Sequence, residues 1–264
     1  MSERADRIIA ALRGGHDHLA SLVRGLAAAD LTRGSGAAEW DVSQVLSHLG
    51  SGAEIALAGL EGALDGTGPR GGDFNKSVWA RWDAMSPDER AEGFVPANEA
   101  LVARYEGLDA RAREDLRIDL GFLPVPVDVA TAAGLRLSEF TFHTWDVEVA
   151  FDPAAVLASA ATGPLLDQAG MLIHFLGKAD ALDGRPARLA IRTTEPERSF
   201  GLDIGEAVAL GDEPADPDAV LSAPAEWWLR LTTGRHASAY TPQGVTLTGD
   251  ALTLDDLRRV FPGF

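Results

Sequence analysis

The stretch LSEFTFHTWDVEVAF, from Leu137 to Phe151, places Glu139, His143 and Asp146 among aromatic and β-branched residues. Polar groups that are buried in such a segment lose solvation worth several kcal/mol unless they find hydrogen bonds, salt bridges or a metal. The fold and the chemistry of this chain therefore depend on which of these partners the three side chains have.

The period of the stretch is compatible with two structures. EFTFHTW and DVEVAF alternate polar and apolar residues, which is typical of a strand. In a helix, Glu139, His143 and Asp146 lie at positions i, i+4 and i+7 and share one face. Both structures put Glu139 and His143 on the same side, and only the helix adds Asp146.

A carboxylate and an imidazole one helical turn apart can form half of a metal site, because both can bind one ion at about 2.0–2.2 Å. For such a pair in isolation, a simple Glu–His hydrogen bond is the commoner explanation. A metal needs at least one more ligand. His48, in the apolar segment SQVLSHLG, is the candidate, and His174, in MLIHFLG, is its rival.

The first part of the chain reads as a series of helices. Apolar residues spaced by three and four predict an amphipathic helix within residues 2–29. Asp41 with Gln44 has the pattern of a capping box, which predicts a helix from Val42 to about Leu64. Further helices are predicted in residues 74–85, 87–108 and 163–182.

The composition changes at DGRP, residues 183–186. Beyond it, short β-rich segments bounded by turn residues predict strands at ARLAIRT, SFGLDIG and VTLTGD, and helices are predicted at APAEWWLRLTTG and LDDLRRVF. We therefore predict a helical domain in residues 1–182 and a small α+β domain in residues 186–264.

Charge and composition restrict the partners. Forty acidic against 23 basic residues give a formal charge of −17, which repels nucleic acids and anionic membrane surfaces, so we expect neither as a partner. The chain has no cysteine, so that any thiol chemistry must use a sulfur from outside. The chain has no apolar run of roughly 18–20 residues and begins with charged residues, which predicts a soluble, cytoplasmic protein. We expect either a monomer or a homodimer.

WDVSQVLSHLG, followed about 90 residues later by LSEFTFHTWDVEVAF, resembles the mycothiol-dependent maleylpyruvate isomerase family of the DinB-like superfamily. The resemblance implies an α+β multidomain fold, with an N-terminal DinB-like four-helix bundle followed by a small sterol-carrier-like α+β domain. It implies that the stretch quoted above is a helix. It also implies a divalent metal, with zinc the expected ion, on His48, Glu139 and His143.

The C-terminal segment SAPAEWWLRLTTGRHA is similar to the segment of the family's small domain that ends in Thr-Gly-Arg. The resemblance implies that Arg235 faces the active site and holds a substrate carboxylate. A helix-capping role for Arg235 beside Gly234 is equally open. Asp146 is expected either to orient a ligand histidine through its second ring nitrogen or to make a hydrogen bond within the bundle.

Three protein ligands leave a zinc-like ion with an open position, which is the catalytic pattern. A low-molecular-weight thiol, mycothiol in the family, would ionise there and act as cosubstrate. The resemblance implies cis–trans isomerisation of a maleylpyruvate-like small molecule by thiol addition and elimination. Two alternatives stay open: transfer of the thiol to an electrophile, in detoxification or natural-product synthesis, and a non-catalytic binding or regulatory role.

Overall fold

The computed structural model describes residues 2–263, and Met1 and Phe264 lie outside this range. The chain divides into two compact units, Met1–Ala155 and Val156–Phe264. The first unit is helical and the second contains a sheet, which confirms the predicted α+β fold class. The division differs from the predicted ranges 1–182 and 186–264, because the helix at residues 159–176 packs on a helix and a strand of the second unit.

The described residues of the first unit form seven α-helices and one small pair of strands. The strands, β1 and β2, are antiparallel and bracket the segment that contains the two prolines of LPVPV. The bounds of these elements are α1 Ser2–Arg24, α2 Ala28–Leu31, α3 Val42–Asp65, α4 Gly72–Asp83, α5 Pro87–Glu106, α6 Ala110–Asp115, β1 Arg117–Ile118, β2 Val127–Asp128 and α7 Val129–Glu148.

The four long helices α1, α3, α5 and α7 form the predicted bundle. Helix α3 contacts α5 and α7, and α1 contacts the same two helices, so that the four enclose one core. The predicted capping box begins α3: Asp41 Oδ1 accepts from the backbone N–H of Gln44 at 2.8 Å, and Gln44 Oε1 accepts from the N–H of Asp41 at 2.9 Å. The start of α3 was therefore predictable from local chemistry alone.

The ambiguous stretch is the second half of α7. The helix begins at Asp128, whose side chain accepts from the N–H of Thr131 at 2.7 Å. It packs against both α1 and α3, and it buries Phe140, Phe142 and Trp145. Because a helix buried on several sides has apolar residues on most of its faces, its sequence imitates strand alternation. The helical interpretation is confirmed and the strand is excluded.

A glycine on α3 allows a tryptophan of α4 to pack closely. A Cβ atom at Gly50 would lie 2.1 Å from Cη2 of Trp82, which is nearer than any side chain tolerates. Trp82 is almost fully buried, and its Nε1 donates to Glu54 Oε1 at 3.0 Å. The contact joins α4 to the part of α3 that contains Gly50 and Glu54.

In the second unit, residues 156–263 form a five-stranded sheet with three α-helices. The strand order is β5-β4-β3-β6-β7, in which β3 is antiparallel to β4 and parallel to β6. The predicted strands are present, whereas β5 and β6 were not predicted. The bounds are α8 Ser159–Leu176, β3 Ala187–Thr194, β4 Arg198–Ile204, β5 Val208–Gly211, β6 Ala219–Pro224, α9 Ala225–Thr232, β7 Thr246–Thr248 and α10 Leu254–Val260.

No helix within residues 2–263 is both long enough and apolar enough to cross a bilayer.

Candidate metal centre

The bundle brings His48, Glu139 and His143 together at one point. His48 comes from α3, and the other two lie one turn apart on α7. Oε2 of Glu139 is 2.9 Å from Nε2 of His48 and 3.7 Å from Nε2 of His143, and three ligand atoms of this cluster lie within 4.8 Å of one another. Ligands bound to one ion at about 2.0–2.2 Å stand roughly 3–4 Å apart, so these donors fit a divalent ion.

A buried aspartate orients one of the two histidines. Nδ1 of His143 lies 2.8 Å from Oδ2 of Asp146, whose exposure is 0 %. An ionised carboxylate only accepts hydrogen bonds, so Nδ1 of His143 carries the hydrogen and donates it. The lone pair of His143 is then on Nε2, the atom that lies towards Glu139. This geometry is the one expected of a group that orients a metal ligand.

Trp40 packs against both imidazole rings, a contact that the sequence analysis missed. The centroid of its ring lies 5.2 Å from that of His48 and 5.8 Å from that of His143. Trp40 stands just before the first capping residue of α3, and Ser35 Oγ donates to its carbonyl oxygen at 2.9 Å. The indole therefore limits how far the two rings can turn.

Glu139 is held in its ionised form. Burial alone would raise its pKa, but the hydrogen bond from His48 and the charges of His143, His48 and Arg136 together outweigh burial and lower the pKa of Glu139 to about 2. The side chain still has 46 % of its surface exposed. At neutral pH the cluster thus offers one carboxylate and two imidazoles, a donor set that suits zinc and similar ions.

A second group of potential ligands lies elsewhere in the bundle, at His16, Asp17 and Glu99. Arg13 already donates to both carboxylate oxygens of Glu99, at 2.6 and 3.0 Å, and His16 Nε2 lies 3.0 Å from Glu99 Oε2. A cation at this position would have to displace the guanidinium. This cluster is an ion-pair network and is not a comparable candidate.

The rival ligand and the predicted substrate arginine both belong to the second unit. His174 is exposed on α8 with its ring against Phe175, and it belongs to neither ligand cluster found in the described part of the chain. Arg235 is half-buried, its backbone N–H donates to the carbonyl of Arg230 at 2.9 Å, and its Nη1 donates to the carbonyl of Thr233 at 3.2 Å. These contacts belong to the end of α9 and agree with the capping alternative, while its role towards a substrate stays a prediction.

Within the first unit, a cavity of about 510 Å³ adjoins the cluster of candidate ligands. His48 and Glu139 lie in its wall, together with aromatic residues such as Phe74 and Trp79. Small-molecule sites commonly measure about 300–1,000 Å³ and combine apolar walls with a few polar groups. The cavity is therefore large enough for a small ligand that reaches the cluster.

The wall of this cavity also contains Arg136, a second residue that the sequence analysis missed. The residue is 7 % exposed, and its Nη2 donates to the carbonyl of Leu49 at 2.6 Å and to Asn98 Oδ1 at 2.7 Å. The one signal in the sequence was an arginine in the otherwise apolar run AAGLRL, three residues before Glu139. A charge at such a position requires partners or a function.

Residues 12–148 match a family profile described as the mycothiol maleylpyruvate isomerase N-terminal domain. No curated protein sequence matches the chain. Among solved structures, the chain is similar to the crystal structure of the mycothiol-dependent maleylpyruvate isomerase, with a TM-score of 0.62, 14 % identity and 92 % of each chain covered. A histidine-to-alanine mutant of that enzyme gives a TM-score of 0.61 at the same identity and coverage. The matched range contains all three candidate metal ligands, His48, Glu139 and His143.

Proposed function

We propose that this chain, which belongs to the mycothiol maleylpyruvate isomerase N-terminal domain family, is a metal-dependent enzyme that isomerises a small unsaturated acid with an external thiol. The main support for the proposal is that His48, Glu139 and His143 lie close together beside a cavity of about 510 Å³. Two histidines and one carboxylate leave a four-coordinate ion with an open position, as in catalytic rather than structural zinc sites.

In the proposed site, each residue of the chain has one role. His48 Nε2, Glu139 Oε2 and His143 Nε2 hold the ion, and Asp146 keeps the hydrogen of His143 on Nδ1. When bound, a divalent ion such as zinc supplies a Lewis acid at which a thiol loses its proton near neutral pH. Trp40 packs against both imidazole rings and limits how far they can turn.

The proposed reaction is an addition followed by an elimination. The thiolate sulfur forms a bond to one carbon of a conjugated cis double bond, and the electron pair of that double bond moves towards the carbonyl group. The remaining single bond rotates, and elimination returns the sulfur with its electron pair, so that the thiol is regenerated. Mycothiol is the proposed thiol, and we propose that Arg235 holds a carboxylate of the substrate.

The test is turnover with and without thiol. Zinc-loaded protein is mixed with maleylpyruvate, and formation of the trans isomer is followed by absorbance in the presence and absence of mycothiol. We expect turnover only when thiol is present, and none with His143→Ala. If thiols leave the rate unchanged, the proposed mechanism fails.

The apolar and aromatic wall of the cavity favours one second candidate, which is S-transfer of the thiol to an electrophile. The same cluster would ionise the thiol, but the carbon–sulfur bond would persist in the product. Mass spectrometry of reactions with a panel of electrophiles distinguishes the two chemistries, since only the transferase gives a stable thiol adduct. A non-catalytic binding protein would hold metal and ligand without either product.

A further inference from the structure

Arg136 is a buried cation whose hydrogen-bonding capacity is only partly used. In residues 2–263 its hydrogen bonds are the two from Nη2, and both acceptors, the carbonyl of Leu49 and Oδ1 of Asn98, are neutral. Its Nε is buried without a partner. Burial lowers the pKa of Arg136 to about 10, so that the guanidinium still carries its charge at pH 7. A buried charge without a directly bound counter-charge is costly and calls for an explanation.

The position of Gly52 shows which nitrogen of the Arg136 guanidinium a ligand in the cavity can contact. Gly52 and Arg136 both line the cavity, and a Cβ atom at residue 52 would lie 2.9 Å from Nη1 of Arg136. Nη2 already donates to two acceptors, and Nε is fully buried. Nη1 has no acceptor among the described residues and is not fully buried. The missing side chain at Gly52 therefore leaves Nη1 open to the cavity.

The charges on this wall favour an anion with two acidic ends. Arg136 and Glu139 are three residues apart on α7 and so lie on the same face. With a divalent ion on the cluster, the two positive charges of the ion and those of Arg70 and Arg136, against the negative charges of Asp119 and Glu139, would leave the lining of the cavity with a net charge of about +2. The whole chain has a formal charge of −17, so with the ion bound this wall would be a local exception that favours anions.

We propose that Arg136 binds a carboxylate of the ligand through Nη1, and that the ligand is a short dicarboxylate whose other end lies towards the metal cluster. This inference rests on the proposed function for the identity of the reaction, and it adds to that function the residue that selects the substrate. The guanidinium suits the role because Nη2 fixes its plane while Nη1 presents a charged donor. Arg136 is a binding residue in this scheme and takes no part in bond making.

The test is direct binding of maleate, a short dicarboxylate, to zinc-loaded full-length protein by calorimetry, without thiol and without turnover. We expect Arg136→Gln to weaken maleate binding about tenfold or more, the loss typical of a charge-assisted hydrogen bond. Maleamide, which is uncharged, should bind the two proteins equally. Arg104→Gln is the matched control, because Arg104 is bound to Glu61 and does not line the cavity.

A second variant covers the case in which Arg136→Gln does not fold. Gly52→Ala keeps the guanidinium but places a methyl group against Nη1, and it should weaken maleate binding in the same direction. Full zinc content and an unchanged circular dichroism spectrum are required of each variant. Wild-type affinity in a folded Arg136→Gln or Gly52→Ala protein, or no maleate binding by the wild type, would overturn the inference. If maleate binding depends on Arg136 but the protein shows no thiol-dependent turnover, the inference on Arg136 is supported and only the proposed function is rejected.

Discussion

The imidazole of His143 donates its Nδ1 hydrogen to Asp146, 2.8 Å away, and that carboxylate is completely buried. The pair fixes the orientation of one side of the candidate metal centre before any ion is present. Partners of this kind typically change metal affinity by about 10- to 100-fold when they are removed.

Asp146→Ala should therefore weaken zinc binding by roughly 10- to 100-fold while the bundle stays folded. The ring of His143 would lose its fixed tautomer and orientation. Competition with a chromophoric chelator measures the affinity. Asp152→Asn, which changes an exposed acid just beyond α7, is the control and should bind zinc as the wild type does. Equal affinities in all three proteins would reduce Asp146 to a hydrogen bond within the bundle.

The purified protein should hold about one divalent ion per chain, since of the two groups of potential ligands in residues 2–263 only that of His48, Glu139 and His143 has no arginine bound in the place of an ion. His48→Ala and His143→Ala should each abolish this binding, because two remaining protein ligands hold zinc weakly. Elemental analysis after dialysis measures the metal, and circular dichroism checks the fold. His174→Ala, an exposed histidine outside the cluster, should retain the ion. Full occupancy in both cluster variants would reject the ligand set.

Arg235→Ala should lower turnover at least about tenfold with the metal still in place, if this arginine holds a substrate carboxylate. Steady-state kinetics and elemental analysis on the same sample separate the two effects. Arg198→Ala, on an exposed position of β4, is the comparison and should leave the kinetics unchanged. Unaltered kinetics in Arg235→Ala, together with a lower melting temperature, would assign the residue to the end of α9 alone.

Gly50→Ala should destabilise the chain by about 1–3 kcal/mol, because the added methyl group would overlap the ring of Trp82. Gly14→Ala is the opposite case, since a Cβ atom there has nothing within 4 Å and alanine favours a helix interior by roughly 0.5–1 kcal/mol. Urea unfolding followed by helical circular dichroism measures both. Equal shifts of the midpoint in the two variants would contradict the close contact between α3 and α4.

Asp256 should make stability fall on acidification. Hydrogen bonds from the N–H and hydroxyl of Thr253, then one from Arg259, lower the pKa of Asp256, and burial opposes them only in part. Its contribution is present above the unfolded pKa of about 3.9 and is lost as the pH falls through the lower folded value. Asp256→Asn should cost about 1–2 kcal/mol at pH 7 and progressively less below about pH 4. A constant difference between pH 7 and pH 2 would rule this out.

Local chemistry made several elements predictable from the sequence. The Asp41–Gln44 capping box begins α3 as expected, and Ser86 with Pro87 begins α5. The local pattern did not distinguish a helix from a strand at α7. This helix is buried on several sides, so its sequence has the alternation of polar and apolar residues that is typical of a strand. It also failed at β6, where the short run AVLSAP leads directly into α9 and so looks like part of that helix.

The site was predictable only to the extent that it resides in spacing along one helix. Glu139 and His143 are one turn apart on α7, so the sequence alone brings them together. The contact of Trp40 with the imidazole rings depends on the path of the loop before α3. Arg136 could be recognised as a candidate binding residue only from the cavity beside it and from the absence of a side chain at Gly52. These contacts join residues that are far apart in the sequence, so no periodic pattern of residues predicts them.

The candidate ligands come from two helices, and His48 and Glu139 are 91 positions apart in the chain. An ion bound to both would act as a cross-link that closes this long loop, and closing a loop in the unfolded chain costs entropy. Binding would thus be coupled to folding, since the unfolded chain does not hold the three donors together. In that case the melting temperature of the bundle would report the metal content of the protein, independently of any reaction that it catalyses.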